Sequence, residues 1–224
     1  MKKVLVQFKN GFTLAEVLIT LVIIGVIAAV TIPTLVNTTK KNEYVASLKK
    51  SNSLMAQALY KMTENNAYPV GDYSYLDDLD FIDEFAKVVN FSKKCDTFSE
   101  CFAKNLSGSE NAYRHLNDTT LTITNGKALI TADGQIYSAA KLPASSAVFH
   151  GLSQEDADNA YCRIIVDVNG EKKPNKFGYD AFIFYVVKNK GIVPAGAYTT
   201  SSCNKDSHGS GCAARVLREN AINY

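Results

Sequence analysis

Glu16 is the residue most in need of a chemical explanation. It is the sole ionisable side chain between Lys9 and Lys40, and a long apolar run follows it directly. An ionised group at the centre of a membrane helix costs about 2.5–3.5 kcal/mol on insertion scales. The cost is smaller near an end. Such a carboxylate calls for a hydrogen-bonding or cationic partner, or for a place at headgroup depth where it reaches water. Asp167, Asn169, Asn175 and Asp180 form a second candidate set. Hard cations such as calcium take oxygen ligands. The full spaced loop and its terminal bidentate Glu are missing, however, and Asn169-Gly170 also reads as an ordinary turn.

Other reactive types are scattered. The 5 cysteines include no CxxC pair, which weakens zinc and thioredoxin-like readings. Behind an export signal, cysteines oxidise. Cys95 with Cys101 and Cys203 with Cys212 would close short loops and leave Cys162 free in a strand, although sequence alone does not fix connectivity. His115, His150 and His208 lie far apart in the chain, and His208 sits in a Ser/Gly loop as an expected surface residue. Tyr68, Tyr73 and Tyr75 crowd one loop, where packing is the simpler role. No HExxH, GxSxG or phosphate-binding glycine motif is present. No catalytic constellation emerges, and the reading is a protein that is not an enzyme. No cofactor is implied beyond the calcium question.

The elements that hold these residues are legible in outline. Residues 1–11 are a short basic leader, and Val17 to Val36 runs without a charge. A helix of ~20 apolar residues crosses a bilayer. Lys2, Lys3, Lys9 and the amino terminus outweigh Lys40 and Lys41 on the far side. The positive-inside rule then leaves the leader in the cytoplasm and the rest outside the cytoplasmic membrane. Without the leader lysines the side chains number 21 basic against 22 acidic. No basic stripe marks a nucleic-acid surface.

From Lys40 to about Asn65 there is no Gly or Pro, and Val45, Leu48, Met55, Leu59 and Met62 form an apolar stripe at helical spacing. Asn52 interrupts the seam, which favours packing on the chain's own domain over a free coiled coil. The helix from Phe12 would be roughly 80 Å long at ~1.5 Å per residue. Tyr68-Pro69-Val70-Gly71 ends it, and Tyr75 to Asn90 predicts a short helix with Asp77, Asp78 and Asp80 near its positive end. Strands follow. Asn125-Gly126 and Asp133-Gly134 are hairpin signals between Leu121–Thr124, Lys127–Thr131 and Gln135–Ser138. Arg163–Val168, Ala181–Val187 and Ile192–Val193 read as further strands, with a short helix over Ala213–Asn220. The expected fold is α+β, a long amino-terminal helix packed on an antiparallel sheet. The expected division is leader 1–11, membrane helix 12–36, amphipathic continuation 37–66 and globular domain 67–224.

Gly11-Phe12-Thr13-Leu14-Ala15-Glu16, between a basic leader and an apolar run, resembles the type IV prepilin signature. The resemblance is specific over about residues 8–36. Val166-Asp167-Val168-Asn169-Gly170, Pro174-Asn175 and Gly178-Tyr179-Asp180 look more loosely like a loop of bacterial pilin-like proteins, and a carboxy-terminal cysteine loop is common in pilins. The resemblance implies cleavage between Gly11 and Phe12 by a prepilin peptidase, with methylation of Phe12. It implies that Glu16 meets the amine of a neighbouring subunit, and that Gly25 and Pro33 are helix breaks. It further implies other pilin or pseudopilin subunits, an assembly ATPase and a platform protein as partners, and calcium as used by some pseudopilins. A signal-anchored binding protein or enzyme is the alternative, and it would need neither Gly11 nor Glu16. A secreted protein cut near Ala29 fits less well, since an ordinary signal is cut after its apolar region.

Overall fold

The computed structural model of the chain describes residues 11–102, 112–121, 126–199 and 201–224. The leader up to Asn10 lies outside the described residues. So does most of the strand expected over Leu121–Thr124, with Asn125 of its turn. The chain divides into two compact units, one ending at Lys40 and one starting at Lys41.

Helix α1 runs over Leu14–Asn65. In the first unit its residues are exposed all round, with only Ala28 partly covered. It is the one described helix long and apolar enough to cross a membrane. In the second unit α1 buries one line of residues: Tyr44, Val45, Leu48, Ser51, Met55, Ala58, Leu59, Met62 and Thr63. The polar residues on that line are Ser51 and Thr63, while Asn52 stands beside Ser51, partly exposed. The Ser51 hydroxyl lies 2.9 Å from the Ser47 carbonyl and 3.0 Å from Gln135 Oε1. Gln135 Nε2 donates to the Ser47 carbonyl at 3.2 Å, and the Tyr137 hydroxyl donates to Gln135 Oε1 at 2.7 Å. The seam is therefore interrupted by a satisfied polar network between helix and sheet, so the buried polar groups carry little desolvation penalty.

The sheet is a six-stranded antiparallel meander: β1 (Phe91–Cys95), β2 (Lys127–Thr131), β3 (Ile136–Ala140), β4 (Ala160–Asp167), β5 (Ala181–Val187) and β6 (Gly191–Pro194), in that spatial order. Asp133-Gly134 turns β2 into β3, with Gly134 at φ +88°, a conformation glycine adopts without steric cost. Asn189, at φ 59°, helps turn β5 into β6. β5 is buried along its whole length because both faces of the sheet are covered. On one face Phe182, Phe184 and Val186 meet the core that includes Leu48, Met55 and Met62. On the other, Ile183, Tyr185 and Val187 join Phe98, Tyr113 and Ala147.

The expected helix over Tyr75–Asn90 is two pieces, a 3₁₀ turn at Ser74–Asp77 and α2 at Phe81–Ala86. Asp80 divides them by capping the second, accepting from the Ile82 and Asp83 amides at 2.9 and 3.3 Å. Buried Glu84 ties α2 to the end of α1 by accepting from Asn66 Nδ2 at 3.0 Å. Short helices α3 (Phe98–Cys101), α4 (Ala144–Phe149), α5 (Gln154–Asp158) and α6 (Ala213–Glu219) complete the second unit.

Leu48 has no exposed surface, whereas Tyr60 on the same helix is 58% exposed. Leu48→Ala is expected to lower unfolding free energy by about 2–5 kcal/mol and Tyr60→Ala by less than about 1 kcal/mol. Denaturant titration of the full chain in detergent micelles checks both.

Candidate functional site

The amino-terminal site is built on the first turn of α1. Thr13 is the cap. Its hydroxyl accepts from the Glu16 amide at 3.2 Å, and Glu16 Oε2 accepts from the Thr13 amide and hydroxyl, each at 2.8 Å. This reciprocal pair is a capping box, which satisfies helix-end donors that have no partner inside the helix. The Thr-x-x-Glu spacing is its sequence signal, and reading Glu16 for charge alone passes over it. Phe12, just outside the helix, is 89% exposed. Glu16 thus has a local partner, yet it remains at the exposed surface of an apolar helix.

Further along, a Cβ built on Gly25 would meet nothing within 4 Å. Pro33 lies inside the continuous helix. Proline has no amide hydrogen, so the Ala29 carbonyl loses its normal helical donor. Thr31 and Thr34 on either side turn their hydroxyls onto the Ile27 and Val30 carbonyls at 3.0 and 3.3 Å.

The structure brings Asp167, Asn169, Asn175 and Asp180 together at the end of β4 and the loop that follows. Asp167 and Asp180 have no exposed surface. Asp180 takes the Asn175 and Lys176 amides at 2.8 and 2.6 Å. Asp167 takes the Asn169 amide at 3.1 Å and the Tyr113 hydroxyl. These donors occupy lone pairs that a cation would need, and they knit the loop. Among the described residues no group of three or more His, Cys, Asp or Glu converges as metal ligands. Burial pushes both carboxyls up, and the nearby Asp180 charge pushes Asp167 further. Tyr113 is held protonated by burial and the Asp167 charge.

The 5 cysteines give two disulfides, Cys95–Cys101 and Cys203–Cys212, and one buried thiol, Cys162. Cys162 borders a cleft with Leu76, Asp80, Phe81 and Lys141. Burial pushes its pKa up to about 12, so it is no thiolate nucleophile at neutral pH.

The three histidines are distant in sequence, but the fold gathers them around Phe149. The His115 and His208 rings meet edge to face at 4.5 Å, and Phe149 lies 5.6 Å from both His150 and His208. The carbonyl of His208 also accepts from the Leu116 amide at 3.1 Å, which joins the carboxy-terminal cysteine loop to the Arg114–Thr120 turn. Burial lowers the His150 pKa to about 3, leaving a neutral ring against the Tyr185 hydroxyl at 2.6 Å. The expected surface residue His208 is thus exposed but engaged. No periodicity could show this convergence, because it depends on how distant loops pack.

Residues 7–32 match the prokaryotic N-terminal methylation motif. That motif is the type IV pilin and pseudopilin signature, and the match is confined to the start of the chain. The long helix followed by an antiparallel sheet is a pilin-like α+β architecture. Comparison with curated proteins and with solved structures yields no match.

Two outcomes follow for the second unit. A carboxyl whose pKa is raised by folding holds a proton that the unfolded chain releases, so its stabilisation is full in acid and lost as pH rises through the raised value. Asp167 and Asp180 should therefore make thermal stability fall from about pH 4 to about pH 7, and Asp167→Asn should flatten that slope, as read by calorimetry across pH. Cys162 should resist maleimide in the folded chain and react only in denaturant, as read by intact mass.

Proposed function

We propose that this chain is a filament subunit of the type IV pilin or type II secretion pseudopilin kind, clipped after Gly11 and assembled through its exposed apolar helix. The observation that carries the reading is Glu16. It is a carboxylate at the surface of a membrane-length helix, one turn from a cleavage-site pattern, and among the described residues its hydrogen-bond partner is its own cap, Thr13. Cleavage between Gly11 and Phe12 would create an amine four residues from Glu16, and N-methylation would leave that amine basic. In a neighbouring copy the same amine offers the cation that a carboxylate in apolar surroundings lacks. A desolvated pair of this kind costs about 3–5 kcal/mol to break on one side. That is enough to make correct docking the preferred outcome among many apolar contacts.

The division of labour follows the two units. The leader and membrane helix hold the subunit in the cytoplasmic membrane, with the sheet domain outside. Gly25 and Pro33 give the helix local freedom during packing. Subunits joined head to tail through unlike surfaces propagate without closing, which is the symmetry of a fibre. A prepilin peptidase, an assembly ATPase and a platform protein are the partners this function requires.

Glu16→Ala separates this reading from a simple signal anchor. Membrane insertion should persist while incorporation into sheared filaments falls at least about tenfold, since losing one side of the pair exceeds ~1.4 kcal/mol. Unchanged incorporation would remove the reading's mechanistic support.

A further inference from the structure

The chain has 4 arginines, and one of them stands apart. Arg215 bonds Glu219 at 2.9 Å and the Cys203 carbonyl at 3.0 Å, Arg114 reaches the Asp118 carbonyl at 3.3 Å, and Arg218 is exposed. Arg163 sits inside the sheet, on β4, opposite Ala140 of β3 and Tyr185 of β5. Residues directly opposite share a face. Arg163 therefore lies on the face of Ile183, Tyr185 and Val187, not on the face that meets α1. The side chain is partly buried, and its Nε is enclosed with no hydrogen-bond partner among the described residues. The groups whose charge acts on it are Tyr185 and Cys162, neither of them a carboxylate. An enclosed cation without an anion is a costly thing to fold around.

Its surroundings add donors rather than acceptors. α4 packs against β4, and His150 follows α4 directly. His150 Nδ1 lies 2.6 Å from the Tyr185 hydroxyl. Burial and the Arg163 charge keep the imidazole neutral. A neutral imidazole carries one N–H and a phenol one O–H. Whichever way their bond runs, one of those two donors is left over. The other groups whose charge acts on His150 are His115 and His208, again not carboxylates. Exposed Phe149 and His208 border the cluster on its outer side.

The geometry points to a binding site for a carboxylate, seated on the Arg163 guanidinium beside His150 and Tyr185. This site goes beyond the filament reading and does not depend on it. A guanidinium is a planar fork that takes a carboxylate through two parallel hydrogen bonds. One cation beside a neutral imidazole balances one negative charge. Sulfate or doubly charged phosphate would bring a second charge into an enclosed place with nothing to offset it. Chloride has the charge but lacks the paired oxygens. The carboxylate belongs to a small organic acid or to an acidic side chain of a second copy, and both sources present the same group.

The full chain in detergent micelles, made with isotope-labelled arginine, reports each Nε–H proton by NMR. Arg163→Gln identifies the Arg163 signal by its loss. Should that variant not fold, Arg114→Gln, Arg215→Gln and Arg218→Gln assign the signal by elimination. Sodium acetate is then exchanged for sodium chloride at neutral pH and constant ionic strength. The expected result is a downfield, saturating shift confined to the Arg163 signal. A signal that moves only with acetate assigns the site to a free acid. A signal that starts downfield and moves back as the chain is diluted assigns it to the carboxylate of a second copy. A signal that answers neither acetate nor dilution would overturn the site. So would a shift that never saturates, or a stronger response to sulfate than to acetate.

Discussion

Everything in this chain answers to the apolar surface of Val17–Val36. Taken from water, that surface is worth about 25 cal/mol per Å², and no described part of the chain covers it. A lipid bilayer or a bundle of like helices can cover it, and these are alternative coverings of similar chemistry. Exchange between them is therefore nearly free in hydrophobic terms. What decides the exchange must be polar. The apolar stretch holds few polar groups.

The capping box at Thr13 and Glu16 shows how such a group is kept safe. The carboxylate accepts from the Thr13 amide and hydroxyl, and the helix start is stabilised. The same logic recurs in the second unit, where several buried polar groups are paired. Ser51 answers Gln135, Glu84 answers Asn66, and Asp180 answers two loop amides. Buried Asp156 accepts from the Tyr198 hydroxyl at 2.7 Å and meets Lys190 Nζ at 2.5 Å. Two disulfides, Cys95–Cys101 and Cys203–Cys212, close short loops of this unit.

The sequence made the local features legible. Apolar length revealed the membrane helix, spacing revealed the buried line on its continuation, and Asp133-Gly134 marked the β2–β3 turn. Features that depend on context were hidden. β1, Phe91-Ser92-Lys93-Lys94-Cys95, shows no alternation because it is a mostly exposed edge strand. Helices α4 and α5 are only 6 and 5 residues long, too short for periodicity. The expected helix after Tyr75 split because Asp80 caps a fresh start. The histidine cluster and the Tyr113–Asp167 contact join residues far apart in the chain. At the candidate site the charge of Glu16 was evident, while its bond to Thr13 needed the capping pattern to be read alongside it.

The central claim is that Gly11-Phe12 is a processing site whose product is an assembly-competent amine. Intact mass and amino-terminal sequencing of the protein from its native membrane test it most directly. The account predicts a chain that begins at N-methylated Phe12. A chain that keeps Gly11 and the residues before it, in cells with a working prepilin peptidase, would contradict it and leave a plain signal anchor.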